Sequence, residues 1–224
     1  MDWQALGLSV RLAAIVSALL LVIGLPLAYW LTFSRRRWTF LIESIVSLPL
    51  VLPPTVLGFY LLLALGSQSP LGQWWQRWTG HGLAFTFESL VIASIFYSLP
   101  FAVQPIAASF AQVDRALLDA SATLGASAPR TFARVVLPLS LEGVIAGVVL
   151  SFAHTIGEFG VVLMVGGNLP GVTRTVSIAV YDHVQALEYG KANGTALLLL
   201  VFSFVVLMFV YGVRRKPWAA APLT

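Results

Sequence analysis

The segment Asp114–Leu139, DRALLDASATLGASAPRTFARVVLPL, differs sharply from the sequence on either side of it. It combines charged residues with small ones, whereas the 224-residue chain as a whole is 58% hydrophobic and only 10% charged. A soluble domain carries about a quarter charged residues. The composition therefore indicates a protein of the lipid bilayer that places one polar stretch in its middle.

Five hydrophobic stretches are long enough to cross the hydrocarbon core, which takes about 20 apolar residues in a helix. They cover residues 12–33, 41–65, 89–110, 135–165 and 196–213. We therefore predict an all-α membrane protein of about five transmembrane helices, with residues 1–224 in a single transmembrane domain. Residues 114–134, named the polar segment below, would connect the third and fourth spans.

The basic residues are divided unevenly between the two sides of such a chain. If five spans alternate, nine of the 13 fall on one side, namely Arg35, Arg36, Arg37, Arg115, Arg130, Arg134, Arg214, Arg215 and Lys216. The other side keeps Arg11, Arg77, Arg174 and Lys191. Because cytoplasmic loops carry the excess of Lys and Arg, we expect the N-terminus outside, and the C-terminus and the polar segment in the cytoplasm.

The polar segment begins with residues that favour a short helix, predicted over residues 114–127. Asp114 can cap its start, and Gly125 is typical of a helix end. Three leucines are expected to form a narrow apolar stripe, namely Leu117, Leu118 and Leu124. Ala120, Ser121 and Ala122 leave a face with little side-chain bulk. Such a surface suits docking in a groove of another protein. An ordinary loop between two spans is the alternative interpretation.

The spacing in this segment resembles the cytoplasmic signature of the permease subunits of bacterial ABC importers. That signature reads Glu-Ala-Ala, three residues, Gly, nine residues, an aliphatic residue, one residue and Leu-Pro. Here Asp119-Ala120-Ser121 replaces Glu with Asp and the second Ala with Ser, and the later positions follow in register. In that family the signature forms a coupling helix that docks on the ATPase subunit. The resemblance implies this role for Asp119, Ala120, Ser121, Leu124, Gly125, Leu137 and Pro138.

The resemblance extends from about Trp3 to Tyr211 and implies the type I ABC importer fold. The stretches SLPLVLPPTVLGFYLLLALG (47–66), GEFG (157–160) and PGVTRT (170–175) are similar to the molybdate-importing branch of the family. That branch implies import of molybdate or tungstate across the bacterial cytoplasmic membrane. It also implies a homodimer that works with two ATPase subunits and an extracytoplasmic oxyanion-binding protein. Sulfate permeases share much of the pattern, so sulfate or another solute is the alternative substrate.

Enzyme classes are disfavoured by the motifs that the sequence lacks. It contains no Gly-x-x-x-x-Gly-Lys-Ser/Thr phosphate loop, so we expect a partner subunit to bind ATP-Mg and this chain to hold no cofactor. His154 and Glu158 lie four residues apart but lack the second histidine of a zinc protease motif. We find neither a serine-protease motif nor paired catalytic aspartates, so we expect no catalytic site, metal site or nucleic-acid partner. A passive channel would leave the docking surface unexplained.

The second and fourth spans contain the residues expected along a translocation path. Pro53 and Pro54 free backbone carbonyls inside a membrane segment, which is tolerated against protein or a wet cavity; a packed kink is the alternative. We expect Glu158 to pair with His154 or Arg174, since a carboxylate is a poor ligand for an anion, and the glycines to allow close packing or a bend. Arg174 would either face incoming anions or be solvated. The path candidates are Ser47, Pro53, Pro54, Thr55, Ser151, Thr155, Gly157, Glu158 and Gly160.

Overall fold

A computed structural model of the protein describes residues 2–34 and 36–213, which form helices and turns without any strand in those ranges. The helices are α1 (Trp3–Phe33), α2 (Thr39–Ser47), α3 (Pro54–Leu65), α4 (Pro70–Thr79), α5 (Phe87–Ala111), α6 (Arg115–Thr123), α7 (Ala128–Thr131), α8 (Leu137–Leu139), α9 (Leu141–Gly157), α10 (Gly160–Gly166), α11 (Val176–Gln185) and α12 (Tyr189–Val213). A 3-10 turn at Leu48–Leu50 follows α2, and a π-helical turn at Phe132–Val136 joins α7 to α8. The predicted all-α class is confirmed.

Within the described residues, three helices are long and apolar enough to cross a membrane: α1, α5 and α12. Two further candidates are bent pairs, Thr39–Leu50 with α3 at 109° and Ala128–Leu139 with α9 at 74°. Five spans result if each bent pair crosses the bilayer once, so the count of five stays a prediction. Arg35, Arg214, Arg215 and Lys216, on which the predicted orientation partly depends, lie outside the described residues.

The fourth predicted span, residues 135–165, is wrong as one continuous helix. The chain bends before α9, and α9 ends at Gly157 because Glu158 has an extended backbone (φ −60°, ψ 136°). Pro138, which has no backbone N–H to donate, lies beside the first break. Apolar residues continue through both breaks, so hydropathy alone does not reveal them.

The connection between α3 and α5 and the connection between α10 and α12 each contain a short helix, α4 and α11. Ser69 caps α4 by accepting a hydrogen bond from the Gly72 N–H at 2.8 Å, and Thr175 caps α11 in the same manner. Trp74 and Trp78 on α4 are exposed. A capping side chain at the N-terminal end of each helix favours helix formation in these two segments.

The core is built where α1, α5 and α9 pack on one another, with α3 and α10 packed beside them. Helices α5 and α9 approach closely because α9 has glycines at the contact. A Cβ atom at Gly147 would lie 2.7 Å from the carbonyl oxygen of Ala102 and 3.0 Å from the Ile106 side chain. Small residues at such contacts let helix backbones pack tightly in a membrane protein.

We predict that Gly147→Ala lowers the melting temperature of the detergent-solubilised protein, because the backbone carbonyl of Ala102 cannot move aside as a side chain can. The expected cost is about 1–3 kcal/mol, as for other overpacked cores. The matched control is Gly194→Ala in α12, where an added Cβ meets no atom within 4 Å. Equal melting temperatures for the two variants would contradict the tight α5–α9 contact.

Candidate functional site

The polar segment folds as a short helix with a defined cap at each end. Asp114 accepts a hydrogen bond from the Ala116 N–H at 2.9 Å, which confirms the predicted cap. The helix ends at Thr123, so the predicted extent to residue 127 is too long. Gly125 has φ +74°, and the Gly125 and Ala126 N–H groups donate to the carbonyls of Ala122 and Ser121 at 2.9 and 3.1 Å. This is a Schellman motif, which needs a left-handed residue where Gly125 stands.

The polar segment presents an exposed surface, since no residue of α6 is buried. Leu124 is 86% exposed, whereas Leu118 packs against the core, so the predicted single stripe of leucines is not formed. A hydrogen bond of 2.7 Å between the Ser121 and Thr131 hydroxyls braces α6 against α7. A cleft of about 400 Å³ lies between these helices and is lined by Leu117, Ala120, Ser121, Leu124, Ala126, Arg130, Arg134 and Val135.

The second half of the signature lies apart from this exposed surface. Leu137 packs against the core, and Pro138 is exposed at the bend that leads into α9. Val136, immediately before them, is fully buried at the end of the π-helical turn. The Leu-Pro pair therefore anchors and bends the chain, while the Asp119–Gly125 stretch supplies the free surface.

A second site is a cleft of about 480 Å³ where α3, α5, α9 and α10 meet. We name it the polar cleft, and its lining is Pro54, Thr55, Tyr97, Ala153, His154, Gly157, Glu158, Phe159 and Gly160. The break between α9 and α10 lies in its wall, so the extended backbone at Glu158 faces a cavity. Irregular backbone at membrane depth is found where it is buried in protein or lines a wet cavity.

Glu158 is the buried acidic group of the polar cleft, with only 3% of its surface exposed. Its carboxylate accepts hydrogen bonds from the hydroxyls of Ser94 at 2.5 Å and Ser98 at 2.6 Å. His154 Nδ1 lies 3.6 Å from the carboxylate, which confirms the predicted pairing with His154. The two serines were missed from the sequence, although their spacing of four in an apolar helix places them on one face.

The alternative pairing of Glu158 with Arg174 is wrong. The Arg174 guanidinium lies 2.9 Å from the Asp182 carboxylate and donates to the side-chain oxygen of Asn168 at 2.7 Å. Its other amino group is 3.9 Å from Asp2. Two carboxylates therefore compensate its charge, and these contacts hold the α10–α11 connection near the N-terminus of α1.

The four predicted hydroxyl donors do not come together. Thr55 lines the polar cleft, whereas Ser47 lies in a separate cleft and accepts a hydrogen bond from Gln104 at 3.1 Å. Ser151 is fully buried and donates to the Val148 carbonyl at 3.0 Å. Thr155 is also buried, behind the cleft wall. A role of these hydroxyls in a path stays a prediction.

The prolines and glycines of the predicted path have different surroundings. Pro53 precedes α3, and Pro54 begins it in the wall of the polar cleft. A Cβ atom at Gly160 would lie 2.9 Å from Pro54 Cβ, so close packing explains this glycine. At Gly157 a Cβ atom would meet nothing within 4 Å, so close packing does not explain that one.

No group of three or more His, Asp or Glu side chains within residues 2–34 and 36–213 could hold a metal ion. The two sites are a surface helix braced by a hydrogen bond and a polar cavity between the helices of the core. Together with helices that are long and apolar enough to cross a membrane, they place the chain in the class of helical membrane proteins.

The fold is that of ABC importer permeases. The permease of a bacterial alginate ABC transporter, solved in complex with an alginate pentasaccharide-bound periplasmic protein, superposes with a TM-score of 0.74 at 14% identity, over 95% of this chain and 77% of that one. The MetNI methionine ABC transporter in an inward-facing conformation gives a TM-score of 0.70 at 15% identity, over 95% and 96% of the two chains. These similarities concern the fold alone.

Sequence similarity then identifies the family. Residues 20–217 match the family described as the binding-protein-dependent transport system inner membrane component, and the chain belongs to it. The molybdenum transport system permease protein ModB of Azotobacter vinelandii is 50% identical over 214 residues, which are 96% of this chain and 95% of that protein. The ModB protein of Haemophilus influenzae is 36% identical over 222 residues, 97% and 93% of the two chains.

We predict that Glu158→Leu lowers the melting temperature more than Glu158→Gln does. Leucine leaves the buried hydroxyl of Ser94 without its acceptor, at about 1–3 kcal/mol for an unsatisfied group, whereas Ser98 keeps Thr155 and His154 within 2.9 Å. The glutamine amide keeps the shape and can still form hydrogen bonds with both. Thermal unfolding in detergent measures the difference, and an equal loss in both variants would show that the hydrogen bonds at Glu158 contribute little.

Proposed function

We propose that the chain is the membrane-spanning subunit of an ATP-driven importer that passes molybdate or tungstate from an extracytoplasmic binding protein to the cytoplasm. The observation that carries this proposal is the 50% identity to a molybdenum transport permease over nearly the whole chain. The polar cleft between α3, α5, α9 and α10 gives a solute a place to enter the helical core.

The complete transporter is proposed as two copies of this chain, two cytoplasmic ATPase subunits that bind ATP-Mg, and the binding protein. The exposed helix α6 supports an ATPase partner, because its small face around Ala120 and its exposed Leu124 are suited to a groove. ATP hydrolysis belongs to the partner, since the sequence has no phosphate loop of its own.

Coupling would follow a continuous structural connection. The Ser121–Thr131 hydrogen bond joins α6 to α7, and the chain then runs through the π-helical turn and α8 into α9. Helix α9 ends at Gly157, and Glu158 follows it in the wall of the polar cleft. A displacement of α6 by the ATPase is thus passed to the cleft by elements that are packed or covalently linked.

The first test is transport itself. Proteoliposomes containing this chain, its ATPase and its binding protein should take up radiolabelled molybdate only when ATP is enclosed or supplied on the ATPase side. Sulfate in the same assay tests the alternative substrate. Failure of the chain to copurify with an ATPase would contradict the proposed importer, and uptake of sulfate in preference to molybdate would contradict the proposed substrate.

The second test concerns orientation, proposed as N-terminus outside and C-terminus cytoplasmic in the bacterial cytoplasmic membrane. The chain has no cysteine, so single cysteines report position without background. We predict that Arg130→Cys in intact spheroplasts is protected from a membrane-impermeant maleimide, while Trp78→Cys on α4 is labelled. Labelling of Arg130→Cys from outside would reverse the proposed orientation.

The third test separates backbone conformation from space at the end of α6. A Cβ atom at Gly125 would meet no atom within 4 Å, but φ is +74°, which costs most side chains about 1–2 kcal/mol. We predict that Gly125→Val abolishes molybdate-stimulated ATP hydrolysis by the assembled complex. Gly125→Asn, whose side chain tolerates this conformation, should retain most of it. Equal activity in the two variants would remove the Schellman motif from the coupling mechanism.

A further inference from the structure

A further cleft, of about 370 Å³, opens at the N-terminal end of α1. Its walls come from three parts of the chain: the first turns of α1, Phe87 at the start of α5, and Gly171 and Val172 in the connection between α10 and α11. We name it the α1 cleft. It shares no lining residue with the polar cleft or with α6, so neither of the two sites described above accounts for it.

One face of α1 carries the polar side chains of the α1 cleft. Gln4, Gly7, Leu8 and Arg11 line it, and their spacing of three and four residues places them on the same side of the helix. A glycine inside a helix is destabilising relative to alanine. Packing does not require this one, because a Cβ atom at Gly7 would meet nothing within 4 Å. Gly7 therefore leaves open space on this face between Gln4 and Arg11.

Arg11 is the only charged residue of α1, and it has no carboxylate partner in the part of the chain that the structure describes. Its guanidinium lies over the Phe87 ring, 4.7 Å from the ring centroid, so a cation–π contact holds it against another wall of the cleft. By contrast, Arg174 at the same end of α1 is paired with Asp2 and Asp182. The charge of Arg11 is left for a group that enters the cleft.

Gln4 offers a second hydrogen-bond donor. Its amide lies so close to the α10–α11 connection that a Cβ atom at Gly171 would be 2.5 Å from Gln4 Nε2. A guanidinium fork matches the oxygens of a tetrahedral oxyanion, and an amide N–H can donate to the same group. No acidic residue lines the cleft, so nothing in its walls repels an anion.

The position of Arg11 favours an oxyanion that belongs to a lipid. The residues that follow it, 12–33, form an apolar stretch that is long enough to cross the hydrocarbon core. A basic side chain at the end of such a stretch reaches the level of the headgroups. Leu8, Phe87 and Val172 give the cleft apolar walls. Such walls suit the glycerol ester region of a phospholipid better than a hydrated ion, because they gain by leaving water.

We propose that the α1 cleft binds the phosphate group of an anionic phospholipid, with Arg11 and Gln4 as donors and Gly7 as its open floor. Phosphatidylglycerol fits better than phosphatidylethanolamine, because the lining has no carboxylate to receive an ammonium group. The bound lipid joins the N-terminal end of α1, the start of α5 and the α10–α11 connection. The site depends on neither the transported solute nor the ATPase, so it can fail while the proposed function stands, and the reverse.

The test is native mass spectrometry of the purified permease in detergent, titrated with phosphatidylglycerol. We expect one lipid per chain to be retained at concentrations at which phosphatidylcholine is not. Arg11→Gln should raise the phosphatidylglycerol concentration for half-occupancy about tenfold, as for loss of a hydrogen bond to a charged group. The control Arg77→Gln, in α4, removes the same charge outside the cleft and should bind as the unmodified chain does. Equal losses in the two variants would overturn the site, because they would show attraction to net charge only.

A second pair of variants tests the space in the cleft. Gly7→Leu keeps every charge and favours the helix, but its side chain fills the floor, so phosphatidylglycerol should no longer be retained. The control is Gly190→Leu in the first turn of α12, where a Cβ atom also meets nothing within 4 Å. We expect Gly7→Leu to melt at the temperature of the unmodified chain in lipid-free detergent, which separates a filled site from a lost fold. Unchanged lipid retention in Gly7→Leu would overturn the proposal.

Soluble anions distinguish the source of the phosphate. Sodium phosphate and sodium molybdate should displace phosphatidylglycerol no more than sodium chloride does at equal ionic strength. Specific displacement by phosphate or molybdate would show a site for a soluble oxyanion and would overturn the assignment to a lipid. Equal retention of phosphatidylcholine and phosphatidylglycerol would also overturn it, because both would then adhere to the apolar surface without reading the headgroup charge.

Discussion

Helices α5 and α9 approach so closely that glycine is needed where α9 meets the backbone of α5, at Gly147 against the Ala102 carbonyl. The same approach brings Ser94 and Ser98 of α5 within hydrogen-bonding distance of Glu158 at the end of α9. A carboxylate in the apolar core requires such donors, because burying an unpaired charge is very costly. The close packing of α5 on α9 and the hydrogen bonds to the buried Glu158 carboxylate therefore depend on each other.

The break after α9 places the buried Glu158 beside the polar cleft. Glu158 leaves the helix in an extended conformation, and α10 resumes at Gly160 against Pro54 of α3. The break between α9 and α10 therefore lies against the break before α3, and the polar cleft lies where they meet. Backbone groups released by the breaks are tolerable there, since the surroundings are protein and a cavity and not lipid tails.

The polar segment forms a second site, at the surface of the protein. It is exposed along α6, capped at both ends, and linked through the π-helical turn and α8 to α9. The chain belongs to the family of binding-protein-dependent transport system inner membrane components. In its architecture, a continuous series of packed or covalently linked elements connects the surface helix α6 to the helix break beside the polar cleft.

Features that depend on nearby residues followed from the sequence alone. The all-α class and the apolar stretches were predicted from composition, the Asp114 cap and the end near Gly125 from local chemistry, and the His154–Glu158 pair from a spacing of four. Each involves residues within about one helical turn or a continuous apolar run. Such features can be predicted without knowing which helix packs against them.

The tertiary structure alone decides which residues that are distant in sequence contact one another. Arg174 pairs with Asp182 and not with Glu158, and Ser98 is separated from Glu158 by 60 residues along the chain. Neither could be read from hydropathy, because a serine in an apolar helix looks the same whether it faces lipid, a backbone carbonyl or a carboxylate. Which of these it meets depends on the rotation and closeness of the packed helices, and only the assembled bundle determines both.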